Sequence, residues 1–558
     1  MISSDRSQPR PRALLTTASI AVALAAADTY VVVLALTDMM SGVGVGIESL
    51  QRATPIISGF LLGYVGVLPL IGRLADLISR QRVLLGCLAI FVIGSAITAL
   101  AVDLPVLVAG RVIQGLGGGG LVPATLAIVA QLWPADRRGT PLGAVGAVQE
   151  IGSVLGPLLG ALVLTIADWR AIFWLNAILG IVLALAVVLT GREPLHRPRW
   201  LPLATGLLAA ASGALALIAP ESLTTSVSLG TPFIPIGDSA SRVLTPIGVI
   251  ALGLLGLTAV LTAGRWWPVL RRADLPGALL FGGALGCVIL TFAVAEPERE
   301  IVGPLGLTLL PIAGVLVVLY LIRHRAAREP LVPRGTVRGR GTAALVVSTL
   351  VGVALVSVVV DIPLLARLTL TDSQTVAALV LVRFLLAVPV GAFAGGWLLR
   401  RFGDGLVAGA GLATAAGGLM VMSTWGDESL AGFWSYVVLV AVGLGVGLAL
   451  APVNNAILAD CPPEAHGTAS ALVVVARMVG MVVGLALLTA IGLHRYYGTV
   501  GALPDQTDTA ALVDAGVVQV QSVFLGAAIA AGIGALVGLG LGVRRRSVSE
   551  PPPASVRV

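Results

Sequence analysis

The chain has 558 residues, 57% of them hydrophobic and only 11% charged, with a formal net charge of +7 and a mean hydropathy of +1.00. A soluble globule keeps roughly a quarter of its residues charged, so this composition excludes a string of water-soluble domains and places the chain in lipid. The 69 glycines are too many for a coiled coil and lack the three-residue period of collagen.

In chain order, Arg6, Arg10 and Arg12 precede an apolar stretch at 13–36 that contains Ala25-Ala26-Ala27, an imitation of a cleavage site. The stretch is longer than a signal-peptide core and long enough to span a bilayer, so it reads as a retained first helix. Further apolar runs follow at 54–76, 83–101, 105–132, 140–165, 170–190, 201–219, 243–264, 275–295, 304–322, 342–366, 374–399, 405–423, 433–459, 467–493 and 520–543. They predict an all-α integral membrane protein with about sixteen spanning helices. The longest polar stretches, 220–242 and 494–519, read as outside loops too small for a core of their own. Residues 201–221 echo 275–298, as a duplicated helical hairpin or as chance similarity between two small-residue helices.

Arginine accounts for all the basic charge apart from the histidines and collects in short clusters between the runs: Arg73/Arg80/Arg82, Arg137-Arg138, Arg192/Arg197/Arg199, Arg265/Arg271/Arg272, Arg323 through Arg340, Arg400-Arg401 and Arg544 to Arg546. Counted from a cytoplasmic N-terminus, every cluster falls on one side, the pattern of cytoplasmic loops and not of a nucleic-acid patch. The opposite loops carry Glu48, Asp103, Glu221, Asp238, Glu296, Asp372, Asp427 and Asp505. A multi-pass protein of the inner (plasma) membrane with both termini cytoplasmic is expected. Cys87, Cys287 and Cys461 form no CxxC or Cys/His spacing, so neither a disulfide framework nor a metal site is expected.

A charged group in hydrocarbon costs at least ~2.5–3.5 kcal/mol, which makes intramembrane ionisable residues functional candidates. These are Asp28, Arg111, Glu150, Asp361, Arg383 and Arg477. Glu150 and Arg477 each sit roughly 15–17 Å from the cytoplasmic edge at a rise of 1.5 Å per residue. Such a pair is either a static salt bridge or one that forms in one conformation and breaks in another, coupling proton binding to opening. Asp361 and Arg383, with Asn454 and Asn455, are candidates for lining a cavity; Arg383 could instead pair with Asp361 or face Glu150. The GxGxxG at Gly115–Gly120 follows no strand and lies within a span, so it reads as helix packing and not as a dinucleotide site. Gly152, Gly156 and Gly160 make one smooth helix face, and Pro157 permits a bend. No loop carries a Walker sequence or a nucleophile elbow, so neither ATP-driven transport nor enzymatic hydrolysis is expected.

The segment Gly72-Arg-Leu-Ala-Asp76-Leu-Ile-Ser79-Arg80-Gln-Arg82 resembles the cytoplasmic signature between helices two and three of the major facilitator superfamily. Ser79 replaces its second glycine. A degenerate copy, Gly396 to Asp404, holds Arg400 at the acid position. Arg111-x-x-Gln114-Gly115 resembles the superfamily's fourth-helix motif, and Gly152…Gly156-Pro157-x-x-Gly160 its antiporter motif, with Ala161 where a final glycine is usual. Asp28-Thr-Tyr-Val-Val resembles the first-helix motif of the drug:proton antiporters with extra central helices. A narrower resemblance, carried by the surroundings of Asp28, Glu150 and His466 to Met481, is to the mycobacterial triacylglyceride and multidrug exporters, which work with a periplasmic lipid-carrying lipoprotein.

The resemblance implies two six-helix bundles with about four extra central helices. It divides the chain into a cytoplasmic N-terminus (1–12), an N-terminal bundle (13–192), an additional hairpin (193–273), a central linker hairpin with its cytoplasmic loop (274–340), a C-terminal bundle (341–543) and a cytoplasmic tail (544–558). It implies a proton site at Asp28, an ion lock of Glu150 with Arg477, and a charge relay at Asp76. The expected function is proton-coupled export of lipids or other hydrophobic molecules by a monomer, with the proton gradient and no cofactor as driving force. Its competitors are an antiporter of small amphipathic drugs and a transport-inactive scaffold or sensor. A short loop at 424–432 argues against lipoprotein docking at that point.

Overall fold

The computed structural model of the chain describes residues 11–45, 50–191, 199–226, 230–236, 241–293, 306–371, 373–505 and 508–542. Arg6, Arg10, Glu48, Arg192, Arg197, Asp238, Glu296, Asp372 and Arg544 to Arg546, and with them nearly all of both terminal segments, lie outside the described residues.

Sixteen of the described helices are long and apolar enough to cross a membrane. They are α1 (Pro11–Gly42), α2 (Leu50–Leu77), α3 (Arg80–Ala99), α4 (Leu104–Leu132), α5 (Gly139–Ile166), α6 (Arg170–Thr190) and α7 (Trp200–Ile218). After α8 (Glu221–Thr224), a single turn in a loop, come α9 (Pro246–Arg272), α10 (Leu275–Ala293), α11 (Gly306–Ala326), α12 (Arg340–Thr369), α13 (Gln374–Phe402), α14 (Asp404–Met422), α15 (Phe433–Asp460), α16 (His466–Gly501) and α17 (Thr509–Leu539). In hydrocarbon a helix satisfies its own backbone, which is why the apolar runs take this form. Polar residues at the boundaries start the helices: Asp103 accepts from Val106 N at 2.9 Å, and Asp508 from Ala510 N at 3.0 Å.

The expected loop at 494–519 is mostly helix, because α16 runs on to Gly501 and α17 begins at Thr509. Hydropathy detects immersion in lipid, and these turns carry His494, Arg495, Asp514 and Gln519. The 36-residue α16 is about 54 Å long at 1.5 Å per residue, against ~30 Å of hydrocarbon, so its last turns stand clear of the bilayer.

Helices α1–α6 pack on one another, as do α12–α17, and the two groups meet mainly through α5 with α13 and α2 with α16. Between them in sequence stand two hairpins. In the first, α7 packs on α9, tied by Thr258 Oγ1 donating to Thr205 Oγ1 at 2.8 Å, and its loop reaches α4 through Ser241 Oγ donating to Asp103 Oδ2 at 2.9 Å. In the second, α10 packs on α11 and lies along α2 and, less extensively, α16. Asp274, at φ +56, joins the hairpins. Its carboxylate accepts from Gly277 N, Leu331 N and, at 2.9 Å, Arg323 Nε.

Candidate transport site

Glu150 on α5 and Arg477 on α16 are at matching distances from the helix starts Gly139 and His466. The structure brings them together across the two halves, Arg477 Nη1 to Glu150 Oε1 at 3.5 Å, with both side chains about nine-tenths buried. They border a cavity of about 260 Å³ between the halves. Its wall is mostly apolar, formed by Phe60, Ile289, Leu355, Met478 and Met481 among others, with Thr29, Tyr64, Arg111, Gln149 and Ser153 as further polar residues. The lining extends from the pair to Ile57 and Leu485, toward the ends of α2 and α16 remote from Asp76. On the other side of the pair a water-sized cavity of about 20 Å³ is lined by Gln149, Asn454 and Arg477.

The halves are sealed at the arginine-rich end. Asp76, near the end of α2, accepts from Gly467 N at 2.6 Å, Thr468 N at 2.9 Å and Thr468 Oγ1 at 2.7 Å. A carboxylate here satisfies the free N–H groups of the first turn of α16 and sits at the positive end of its dipole. Gly72 makes the approach possible: a Cβ there would fall 2.7 Å from both Ala471 Cβ and Gly467 O. Nearby, Gly139 and Gly143 of α5 lie against Gly396 and Ala392 of α13. Arg73 Nη2 stands 3.9 Å from Glu329, which also faces Arg272, linking this end to the segment after α11. Arg80 is half-buried and lies beside Asp76, Arg138 and His466, its Nε without a hydrogen bond among the described residues. Arg82 is exposed at the start of α3.

A second polar cluster lies inside the first half. Arg111 Nη1 donates to Asp28 Oδ2 at 2.6 Å and to Gln114 Oε1 at 2.7 Å. Asp28 Oδ1 accepts from Gln114 Nε2 at 3.0 Å and Asn176 Nδ2 at 2.5 Å, and Gln114 Nε2 also donates to Ser95 Oγ. The guanidinium stacks over the Phe60 ring at 4.3 Å. Asp28 and Arg111 are both 1% exposed, and each carboxylate oxygen has a donor, the condition under which a buried ion pair is tolerated. The sequence named Asp28, Arg111 and Gln114 without pairing them, and it missed Asn176, Ser95 and Tyr64. Asn176 was findable as the sole amide within the apolar run of α6.

The motif glycines are packing surfaces. Gly152, Gly156 and Gly160 abut Ala23, Ala27 and Val31 of α1, while Pro157 is exposed on the far face. Gly115 lies against the Phe60 carbonyl of α2. Three of the four cavity candidates are elsewhere. Arg383 stacks on the Tyr436 ring, 3.3 Å from its centroid, and donates to Ser435 Oγ at 3.2 Å, so it neither lines this cavity, pairs with Asp361 nor faces Glu150. Asn455 is committed to Asp404 Oδ1 at 2.8 Å. Asp361 is buried within the second half and borders neither cavity. Asn454 lines only the smaller cavity, where its Oδ1 is buried without a hydrogen bond among the described residues.

The family model of the Major Facilitator Superfamily matches residues 18–305 and 242–485. The chain belongs to this superfamily. It is 36% identical over 496 residues to the triacylglyceride transporter of Mycobacteroides abscessus, covering 87% of this chain and 83% of that one. It is 35% identical over 568 residues to the triacylglyceride transporter of Mycobacterium tuberculosis strain H37Rv, covering 97% and 96%. Among solved structures it is similar to the human organic anion transporter MFSD10, with a TM-score of 0.54 at 15% identity over 94% of this chain and 100% of that one, a likeness of fold alone. The protein is a multi-pass membrane transporter and not an enzyme.

Proposed function

We propose that this transporter exports triacylglyceride-like lipids or other hydrophobic molecules across the inner membrane by alternating access, driven by the proton gradient, with both termini in the cytoplasm. The observation that carries the reading is the Glu150–Arg477 bridge, which joins the two halves at the edge of an apolar cavity. Relatives named triacylglyceride transporters support the cargo class.

In this reading the conformation is outward-facing: the arginine-rich end, taken as the cytoplasmic one, is latched by Asp76, and the cavity extends toward the opposite side. A proton on Glu150 removes its attraction for Arg477. A proton on Asp28 does the same for Arg111, which borders the same cavity. With both bridges weakened the latch at α2 and α16 opens, and the cavity admits cargo from the inner leaflet. Release of the protons inside restores the pairs and closes that end. The charged lining residues are two guanidiniums and one acid already facing Arg477. That balance disfavours small cationic drugs as cargo. Transfer of the lipid to a periplasmic lipid-binding lipoprotein by a monomeric chain completes the reading.

The test is flux of a fluorescent triacylglyceride from proteoliposomes under an imposed pH gradient. Glu150→Gln and Asp28→Asn are each expected to abolish gradient-driven flux while leaving folded protein. Full gradient-driven flux in both variants would overturn the coupling.

A further inference from the structure

Of the buried acids that the cycle above leaves unused, one has a carboxyl oxygen without a partner among the described residues. Asp361, in the outer half of α12, is 3% exposed, and its Oδ2 is buried without a hydrogen-bond partner among the described residues.

The internal repeat shows that the second half lacks the polar cluster of the first. In the first half Gly115 of α4 packs on the Phe60 carbonyl of α2 and Gly117 on Phe91 of α3. In the second half Gly443 of α15 packs on the Phe384 carbonyl of α13 and Gly445 on Gly411 of α14. Gly115-Leu-Gly117-Gly-Gly119 thus matches Gly443-Leu-Gly445-Val-Gly447 in three dimensions as well as in sequence. In that register Leu439 and Val442, both fully buried, stand where α4 has Arg111 and Gln114. The first helices of the halves match in the same way. Gly152 and Gly156 meet Ala23 and Ala27 of α1, and Gly480 and Gly484 meet Thr349 and Val353 of α12. Ala354 therefore takes the place of Asp28, and Asp361 lies two turns further along the same helix face. The second half thus carries its buried carboxyl about 10 Å along the helix from the place of Asp28, and without the guanidinium and amides that hydrogen-bond Asp28.

Nothing charged on the packed elements compensates it. On α13, Arg383 is engaged with Tyr436 and Ser435 of α15, and the only other ionisable group on α15 is Asp460, at the arginine-rich end. On α16, Arg477 faces Glu150, while His494, Arg495, Tyr496 and Tyr497 occupy the protruding turns. On α17 Asp514 stands near the start, and on α12 itself Arg367 is exposed toward the outer end. None of these forms a salt bridge or hydrogen bond with Asp361 among the described residues. An unpaired carboxylate buried at that depth costs several kcal/mol, whereas the neutral acid carries no such penalty.

We propose that Asp361 is a second proton-binding site, in the C-terminal bundle, that holds a proton in the outward-facing conformation and gives it up when α12 moves in the cycle. Its part in transport rests on the proton-coupled reading; the presence of the proton does not. Infrared difference spectra of the purified chain in nanodiscs, titrated from about pH 5 to 10 across the range of side-chain ionisation, read the carbonyl band of a protonated carboxyl. The band is expected at neutral pH in the wild type, in Asp28→Asn and in Glu150→Gln, and to be lost in Asp361→Asn. A band unchanged by Asp361→Asn overturns the site. Should that variant not fold, Asp361→Glu must move the band, and an unmoved band again overturns it. In gradient-driven lipid flux, Asp361→Asn is expected to shift the pH of half-maximal rate by about one unit; an unmoved profile overturns its role in transport. Wild-type protein with no gradient-driven flux would sink the coupled reading alone, since the band still decides whether Asp361 carries a proton.

Discussion

Asp28 and Arg111 show why single substitutions in this protein are not interchangeable. The pair is closed by Gln114, Asn176 and Ser95 and lidded by Phe60. Removing one partner strands a buried charge, which costs about 3–5 kcal/mol, whereas removing both partners together is far milder. Arg111→Met is therefore expected to lower thermal stability in detergent by that amount, and Asp28→Asn added to it to recover most of the loss. A double-mutant cycle on melting temperatures measures the coupling; additive losses would show that the two side chains act independently. The sequence supplied the members of this cluster through the expense of charge in lipid. It did not supply the partnership, because pairing across α1, α4 and α6 depends on which helix faces meet. Arg383 makes the same point in reverse. Its charge was legible, but its use of a neighbouring ring and hydroxyl in place of Asp361 depends on the packing of α13 against α15.

Among helices, small residues decide who touches whom. A Cβ on Gly156 would overlap the Ala27 backbone, so α1 and α5 can lie this close only with glycine there. A Cβ added at Gly253 or Gly256 of the additional hairpin would meet no atom within 4 Å from another element among the described residues. Gly156→Ala is expected to cost about 1–3 kcal/mol through overpacking and to reduce flux. Gly253→Ala is expected to be neutral or to gain up to about 1 kcal/mol from helix propensity. Thermal melts of the two variants side by side check the contrast; equal effects would mean that the helix contacts do not set stability. The spacing of Gly152, Gly156 and Gly160 was readable as a smooth face, but not the helix that fills it. The spans themselves were nearly all legible because lipid selects long apolar runs. The outer turns of α16 and α17 were not, since beyond the bilayer a helix needs no uniform hydropathy.

For the molecule as a whole, the question is what holds one end shut. Asp76 contributes three charge-assisted hydrogen bonds between the halves, and hydrogen bonds to a charged group are worth about 1.5–3 kcal/mol each. Asp76→Asn keeps the shape but loses the charge and one pattern of acceptors, which amounts to at least one such bond, so the population open at the arginine-rich end should rise about tenfold to a hundredfold. Cys461 offers a first readout. It is buried beside this latch, and burial, aided by the nearby charges of Asp76 and Asp460, pushes its thiol up to about 12. The reactive thiolate is then scarce at neutral pH, and a water-soluble maleimide should label the closed wild type slowly. Labelling should quicken in Asp76→Asn, with Cys287→Ser removing the half-exposed background thiol. Loss of the Asp76 charge also lowers the thiol's pKa directly, so faster labelling alone does not prove opening. Spin labels at the exposed Arg137 and Glu464, on opposite halves at this end, separate the two effects. Opening adds a longer distance to the distribution, whereas a purely electrostatic effect on Cys461 leaves the distances of the wild type unchanged and would refute the latch.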